Sequence, residues 1–283
     1  MSGTAVHRGK SLRVLNGLAQ ASHPLPSLAV TAVAVLLGLG NGLDGPRTVL
    51  LGFAVLTGQL SIGWSNDWID AARDRATRRA DKPAATGSIA VRAVAVAAGA
   101  AALATVVSSL LLGWFAGTVL LLSVAGGWAY NLGLKATVFS GAAYLFSFAA
   151  LTIGVHAAGP GESWPPWWVP VAGALLGFGA HFANVLPDLR ADAETGVRGL
   201  PHRLGPRVGV IVMTLALATA SVVLGLAPAQ ASALYSAVAV TTGLALATAT
   251  TVAAIRAPHS AIAFRLTVAI ALLDVVLLIT ITV

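Results

Sequence analysis

Residues 93 to 129 read AVAVAAGAAALATVVSSLLLGWFAGTVLLLSVAGGWA, 37 positions without a charged side chain. As one helix the run would extend about 55 Å at 1.5 Å per residue, against a hydrocarbon core of about 30 Å. It therefore has to cross a bilayer twice. Gly113 followed by Trp114 marks the turn, a glycine able to end a helix and a ring suited to the interface.

Outward from this hairpin the apolar runs cover about 24–43, 48–65 and 89–112 on one side, and 114–131, 136–157, 167–186, 207–226, 231–255 and 261–282 on the other. The expected fold is all-α, a polytopic membrane protein of nine transmembrane helices in a single domain, 1–283. Composition agrees: 57% of residues are hydrophobic and 10% charged, against roughly 25% charged in a soluble domain. Residues 1–23 read as a polar tail with Arg8, Lys10 and Arg13, and the run after it has the length of a span rather than of a signal peptide. No cysteine occurs, which excludes disulfides and thiolate chemistry.

With the N-terminus inside, sixteen of the 17 lysines and arginines fall on inward segments and Arg47 alone lies outside. Treating residues 93–129 as one span would move seven of the sixteen outward, so the positive-inside bias supports two. The net charge of +7 thus reads as topology, with no nucleic-acid partner. The expectation is a cell-membrane protein with its C-terminus outside.

Two acidic clusters then share the cytoplasmic side. In Trp64-Ser65-Asn66-Asp67-Trp68-Ile69-Asp70-Ala71-Ala72-Arg73-Asp74, the residues Asn66, Asp70 and Asp74 recur at i, i+4 and i+8, on one helical face with Asp67 beside them. Asn184, Asp188 and Asp192 repeat the spacing, with Pro187 requiring a break in the helix. Such carboxylates repel unless a cation lies among them. Hard oxygen donors at a helix end suit Mg2+, which completes its shell with water and substrate phosphate, so a diphosphate substrate is expected.

These residues resemble a known family. NDWIDAARDRATRRADKPAATGSI (66–89) is similar to the first signature, N-D-x-x-D-x-x-x-D, of the UbiA superfamily of intramembrane prenyltransferases. DLRADAETGVRGLPHRLG (188–205) resembles its second aspartate-rich motif, and Tyr130-Asn131-Leu132-Gly133-Leu134-Lys135 its tyrosine-to-lysine element. The resemblance implies a bundle around a central cavity, where Mg2+ and an isoprenyl diphosphate bind between the motifs. It implies Asn66, Asp70, Asp188 and Asp192 as metal contacts supported by Asp67 and Asp74. Lys135, Arg78, Arg79, Lys82, Arg198 and Arg203 are the corresponding candidates for the diphosphate oxygens. Asp70, Asp188, Asp192 and Lys135 carry the expected chemistry, prenyl transfer to a lipid-accessible acceptor such as an aromatic or quinone precursor.

Aromatic faces can stabilise an allylic cation without capturing it, and Tyr130, Tyr144, Phe148, Phe178 and Phe182 are candidates, with plain packing as the alternative. Asn184 is expected at the cavity. His181 on the same helical face is either a satisfied core histidine or a group that orients an acceptor. Family members that use aromatic acids often carry an arginine near the start of the first helix, where this chain has Ala21-Ser22-His23-Pro24. That departure argues against a carboxylated acceptor and leaves His23 as an acceptor contact or an ordinary interfacial histidine. Asp274, deep in the last span, reads as a structural hydrogen bond. A membrane terpene cyclase would use the same motifs. A cation transporter would place polar groups through the bilayer midplane, whereas these acids collect on one side.

Overall fold

The computed structural model describes residues 14–80, 82–161 and 163–282. Among them eight helices are long and apolar enough to cross a membrane, and a bent pair makes a ninth span. That pair is α1 (Val14–Ala21) and α2 (Pro24–Gly40), which meet at 64°. The rest are α3 (Gly45–Ala76), α4 (Pro83–Thr86), α5 (Val91–Leu111), α6 (Trp114–Leu132), α7 (Ser140–Ala157), α8 (Trp168–Val185), α9 (Leu189–Glu194), α10 (Leu200–Leu226), α11 (Ala233–Arg256) and α12 (Ile262–Thr282).

The turn between α5 and α6 falls where the sequence places it. Gly113 has φ 126°, a conformation that a side chain disfavours, and α6 starts at Trp114. Gly117 lies so close to the backbone of Ser109 that a Cβ would not fit, which lets the two helices fold back tightly. Two expectations change. The segment read as a polar tail holds a helix, α1 (Val14–Ala21), tied down by the Trp64 indole, which donates to the Leu18 carbonyl at 2.9 Å; Arg8, Lys10 and Arg13 lie outside the described residues. The second span is also longer than its apolar run. At 32 residues α3 extends about 48 Å, so its acidic last turns project well past a core of about 30 Å.

The helices close a ring. α2 packs on α3, α3 on α6, α6 on α7, α7 on α8, α8 on α12, and α12 returns to α2, while α5, α10 and α11 brace the outside. Small residues permit the close approaches: Gly173 and Gly177 of α8 leave room for Thr152 and Phe148 of α7. At the end of the bundle away from the acidic motifs, Asp44 caps α3 by accepting from the Arg47 amide at 2.8 Å. The Arg47 guanidinium donates to Leu112 O at 2.7 Å and to Ala158 O at 2.9 Å, satisfying the carbonyls that close α5 and α7.

Candidate active site

On the last turns of α3, Asn66 and Asp70 face α6 and the loop that follows it. Asn66 Nδ2 donates to Asp70 Oδ2 and to Asn131 Oδ1, each at 3.2 Å. Asn131, fully buried on α6, donates in turn to Ile62 O at 2.9 Å and Ser65 Oγ at 2.8 Å. It holds Asn66 in place, and sequence reasoning passed over it although it stands within the tyrosine-to-lysine element. Lys135 lies on the turn Leu134–Ala136, and its ammonium donates to both Asp70 oxygens at 2.6 and 2.5 Å. Arg73 adds a 2.7 Å bond to Asp70 Oδ2 and approaches Asp74 at 3.7 Å. Burial holds the Lys135 ammonium below the usual lysine range, and Asp70 opposes that shift.

Asp67 points elsewhere. One residue on from Asn66, it is rotated about 100° around the helix toward α2. There Lys82 donates to its Oδ1 at 2.6 Å and His23 approaches it at 3.2 Å, with Lys82 and His23 themselves 3.1 Å apart. Asp67 and Lys82 thus form a buried pair beside the Asp70–Lys135 contact. His23 adopts φ 50° at the bend between α1 and α2, a strained backbone for a non-glycine residue.

Pro187 breaks the second cluster: α8 stops at Val185, a tight turn covers Leu186–Asp188, and α9 begins at Leu189. The break turns Asp188 toward the first motif, where Arg79 reaches it at 3.8 Å. Asp192 lies 3.5 Å from His202. The Arg79–Asp188 approach thus brings the second cluster to the loop that follows α3. Among the described residues no three acidic or histidine groups converge on one point; Asp70, Asp188 and Asp192 each have a basic neighbour instead. Arg198 and Arg203 are exposed, the Arg203 Nε donating to the Arg198 carbonyl at 3.1 Å, and Arg78 sits in a left-handed turn with φ 54°.

Below the two motifs lies a cavity of about 280 Å³, lined mainly by apolar side chains. Asn66, His23, Tyr130, Asn131 and Asn184 stand at its polar end. Tyr144 and Phe148 form its aromatic wall, stacked at 6.2 Å with 8° between ring planes, and Tyr130 meets Tyr144 edge-on at 5.2 Å. Phe178, Phe182 and His181 do not line it. The α8 residues that line it are Val169, Ala172, Gly173, Leu176, Ala180 and Asn184. Phe182 is buried in the hydrophobic core with Met213 and Leu217, and Phe178 packs against it. His181 stands behind Tyr144, at hydrogen-bond distance (3.1 Å) from Ser140 Oγ, which also accepts from the Leu200 amide at 2.8 Å.

An all-helical membrane bundle with oxygen donors and basic groups at one end of an apolar, aromatic-walled cavity has the shape and chemistry that suit an amphiphile with an anionic head. The comparisons make that class specific. The sequence matches the profile of the UbiA prenyltransferase family over residues 27–273, and the chain belongs to that family of prenyltransferases. It is 30% identical over 220 residues to the bacteriochlorophyll synthase 33 kDa chain of Cereibacter sphaeroides, covering 70% of this chain and 68% of that one. The fold matches a UbiA homologue from Archaeoglobus fulgidus bound to GPP and Mg2+ with a TM-score of 0.73 at 15% identity, over 93% of this chain and 99% of that one. An apo UbiA homologue from Aeropyrum pernix K1 gives 0.75 at 17% identity, over 90% and 97%.

Proposed function

We propose that this protein transfers a prenyl group from its diphosphate to a lipid-accessible acceptor, an aromatic or quinone precursor, with Mg2+ as cofactor. The observation that carries the reading is the Asp70–Lys135 contact at the mouth of the apolar cavity: an acid suited to a metal and a cation suited to phosphate, bonded to each other. Family membership and the Mg2+ and GPP in the Archaeoglobus fulgidus relative support it.

Asn66, Asp70, Asp74, Asp188 and Asp192 offer the hard oxygen set that Mg2+ requires, and they would hold it. When bound there, Mg2+ would supply the positive charge that offsets the diphosphate and favours its departure. Lys135 and Arg79 exchange their carboxylate partners for diphosphate oxygens. The allylic C–O bond then breaks with its electron pair on the leaving oxygen, where the nearby ammonium and guanidinium meet the growing charge. The faces of Tyr144, Phe148 and Tyr130 shield the allylic cation from water until the acceptor supplies an electron pair and loses its proton. The basic bias of the inward segments supports an orientation with the N-terminus and both motifs on the cytoplasmic side and the C-terminus outside.

Purified protein incubated with Mg2+ and a panel of isoprenyl diphosphates, with and without aromatic acceptors, tests this by product mass. The expected result is an adduct that needs the acceptor. A cyclic hydrocarbon formed from donor alone would replace transfer by cyclisation, and no consumption of any donor would overturn the reading.

A further inference from the structure

Among the polar side chains on the cavity wall, Gln59 of α3 and Ser123 of α6 have no task in the proposed transfer. Others there are already engaged or enclosed. Thr152 and Thr267 donate to carbonyls of their own helices at 2.9 and 3.0 Å. Asp274 accepts from the Ser221 hydroxyl at 3.1 Å, and its second oxygen, like Ser147 Oγ, is sealed within the packing. Gln59 and Ser123 differ on both counts. Neither hydrogen-bonds to a described residue, and the polar atoms of neither are sealed. Ser123 is only 7% exposed and stands with Gly126, Gly127 and Tyr130 on the cavity side of α6, so it is to the cavity that its hydroxyl is open. Gln59 shares the cavity side of α3 with Ile62, Gly63 and Asn66, at helical spacing.

The two lie at one depth. Along the seam of α3 and α6, Asn66 meets Asn131 at 3.2 Å; a side chain on Gly127 would run into Ile62 one turn deeper, and one on Gly58 into Val124 a turn beyond that. Gln59 adjoins Gly58, and Ser123 adjoins Val124. A carboxamide and a hydroxyl thus flank the same seam, about 10 Å of helical rise below Asn66. Between the two levels the wall is Ile62, Gly63, Gly126 and Gly127, whose glycines leave a flat face for a planar ring. Hydrocarbon laid over Gln59 and Ser123 would leave both without a partner, a costly arrangement. A phenol or quinone oxygen can bond both, because a carboxamide and a hydroxyl each donate and accept.

We propose that Gln59 and Ser123 hold an oxygen of the acceptor on the side of its ring away from the carbon that is prenylated, and so select acceptors with oxygens at opposite ring positions. A ring held there lies on the glycine face, with its other edge turned up toward Asn66 and Tyr130, where the proposed reaction releases the allylic cation. An acceptor without the far oxygen strands the pair, the means by which a site built for a hydroxyl rejects its deoxy analogue. This rests on the transfer reading proposed above.

The test uses the full-length protein in nanodiscs with Mg2+ and geranyl diphosphate, and acceptors that differ only in the second hydroxyl: hydroquinone against phenol, and the corresponding naphthalene diol against naphthol. Wild type should favour the dioxygenated member of each pair at least tenfold in kcat/KM. Gln59→Leu, similar in size, should bring that preference to within about twofold by losing the dioxygenated acceptor, with geranyl diphosphate affinity in the absence of acceptor unchanged. Ser123→Ala removes one oxygen atom and should cut the preference at least threefold; it decides the matter if the leucine variant does not fold. No preference in wild type, a preference unmoved by the substitutions, or an equal loss for both members of a pair overturns the proposal. So does a change of more than about threefold in geranyl diphosphate affinity, which would assign the pair to the donor. If wild type forms no adduct with any acceptor, the transfer reading itself fails, and the two failures are thereby told apart.

Discussion

About 34 Å apart along α3, two sets of charges are held in different ways. Near the start of the helix, Arg47 donates to the carbonyls of Leu112 and Ala158. Near its end, Lys135, Arg73 and Lys82 donate to the side chains of Asp70 and Asp67, and Arg79 approaches Asp188. A carbonyl at a helix terminus has nowhere to go, so a guanidinium bonded to it belongs to the fold. A carboxylate is one anion among several that a basic group can hold, so the second set can change partners. Basic residues that look alike in composition are thereby sorted into fixed and exchangeable ones, and mutation should separate them.

The largest effect is expected where an exchangeable partner is also a metal contact. Asp70→Ala and Asp188→Ala should each reduce turnover at least about a thousandfold, or about 4 kcal/mol in the barrier, while helix content and membrane insertion persist. Chelating Mg2+ from the wild type should give a loss of similar size that added Mg2+ restores. Near-normal activity in both alanine variants would remove the acidic clusters from the mechanism.

Next comes Lys135→Gln, which keeps hydrogen bonding and removes charge. The expected fall in single-turnover rate is about tenfold to a thousandfold, roughly 1.4 to 4 kcal/mol, with partial recovery in Lys135→Arg. An unchanged rate at saturating Mg2+ and donor would leave Lys135 as a topological charge only.

Arg47→Met should invert the pattern. It strands carbonyls at the ends of α5 and α7, so thermal unfolding in detergent should shift down by the equivalent of about 1 to 3 kcal/mol. Turnover per folded molecule should stay within about twofold. A selective loss of turnover with stability intact would erase the distinction between the two ends. The smallest effect is expected for Arg198→Gln, whose side chain is exposed; a kinetic change above about threefold would bring that arginine into the diphosphate site after all.

The elements that depend on local physics were legible in the sequence. Residues 93–129 are too long for one crossing, Gly113 ends a helix, and Pro187 cannot continue one. The expectation that both acidic clusters lie at one end of the bundle came from counting crossings. What escaped depends on how distant segments fold back. Nothing near Asp67 announces that Lys82 and His23 will claim it, because that contact needs the 77–82 loop to return against the bend between α1 and α2. The role of α1 was hidden by its brevity and by its anchoring to Trp64 across the bundle. Phe178 and Phe182 were misplaced for a simpler reason: an aromatic pair at i+4 marks a common face without saying which one.

The overhang of α3 has a further consequence. Its apolar turns match the hydrocarbon and its acidic turns stand beyond it, so in the proposed orientation one rigid helix links an oil phase to the aqueous cytoplasm. In the proposed reaction each product leaves on its own side of that boundary. The diphosphate, once cut free, needs no passage through lipid, and the prenylated product never enters water. The helix then makes the protein a phase-transfer catalyst, in which bond cleavage and the sorting of the two fragments happen at the same place.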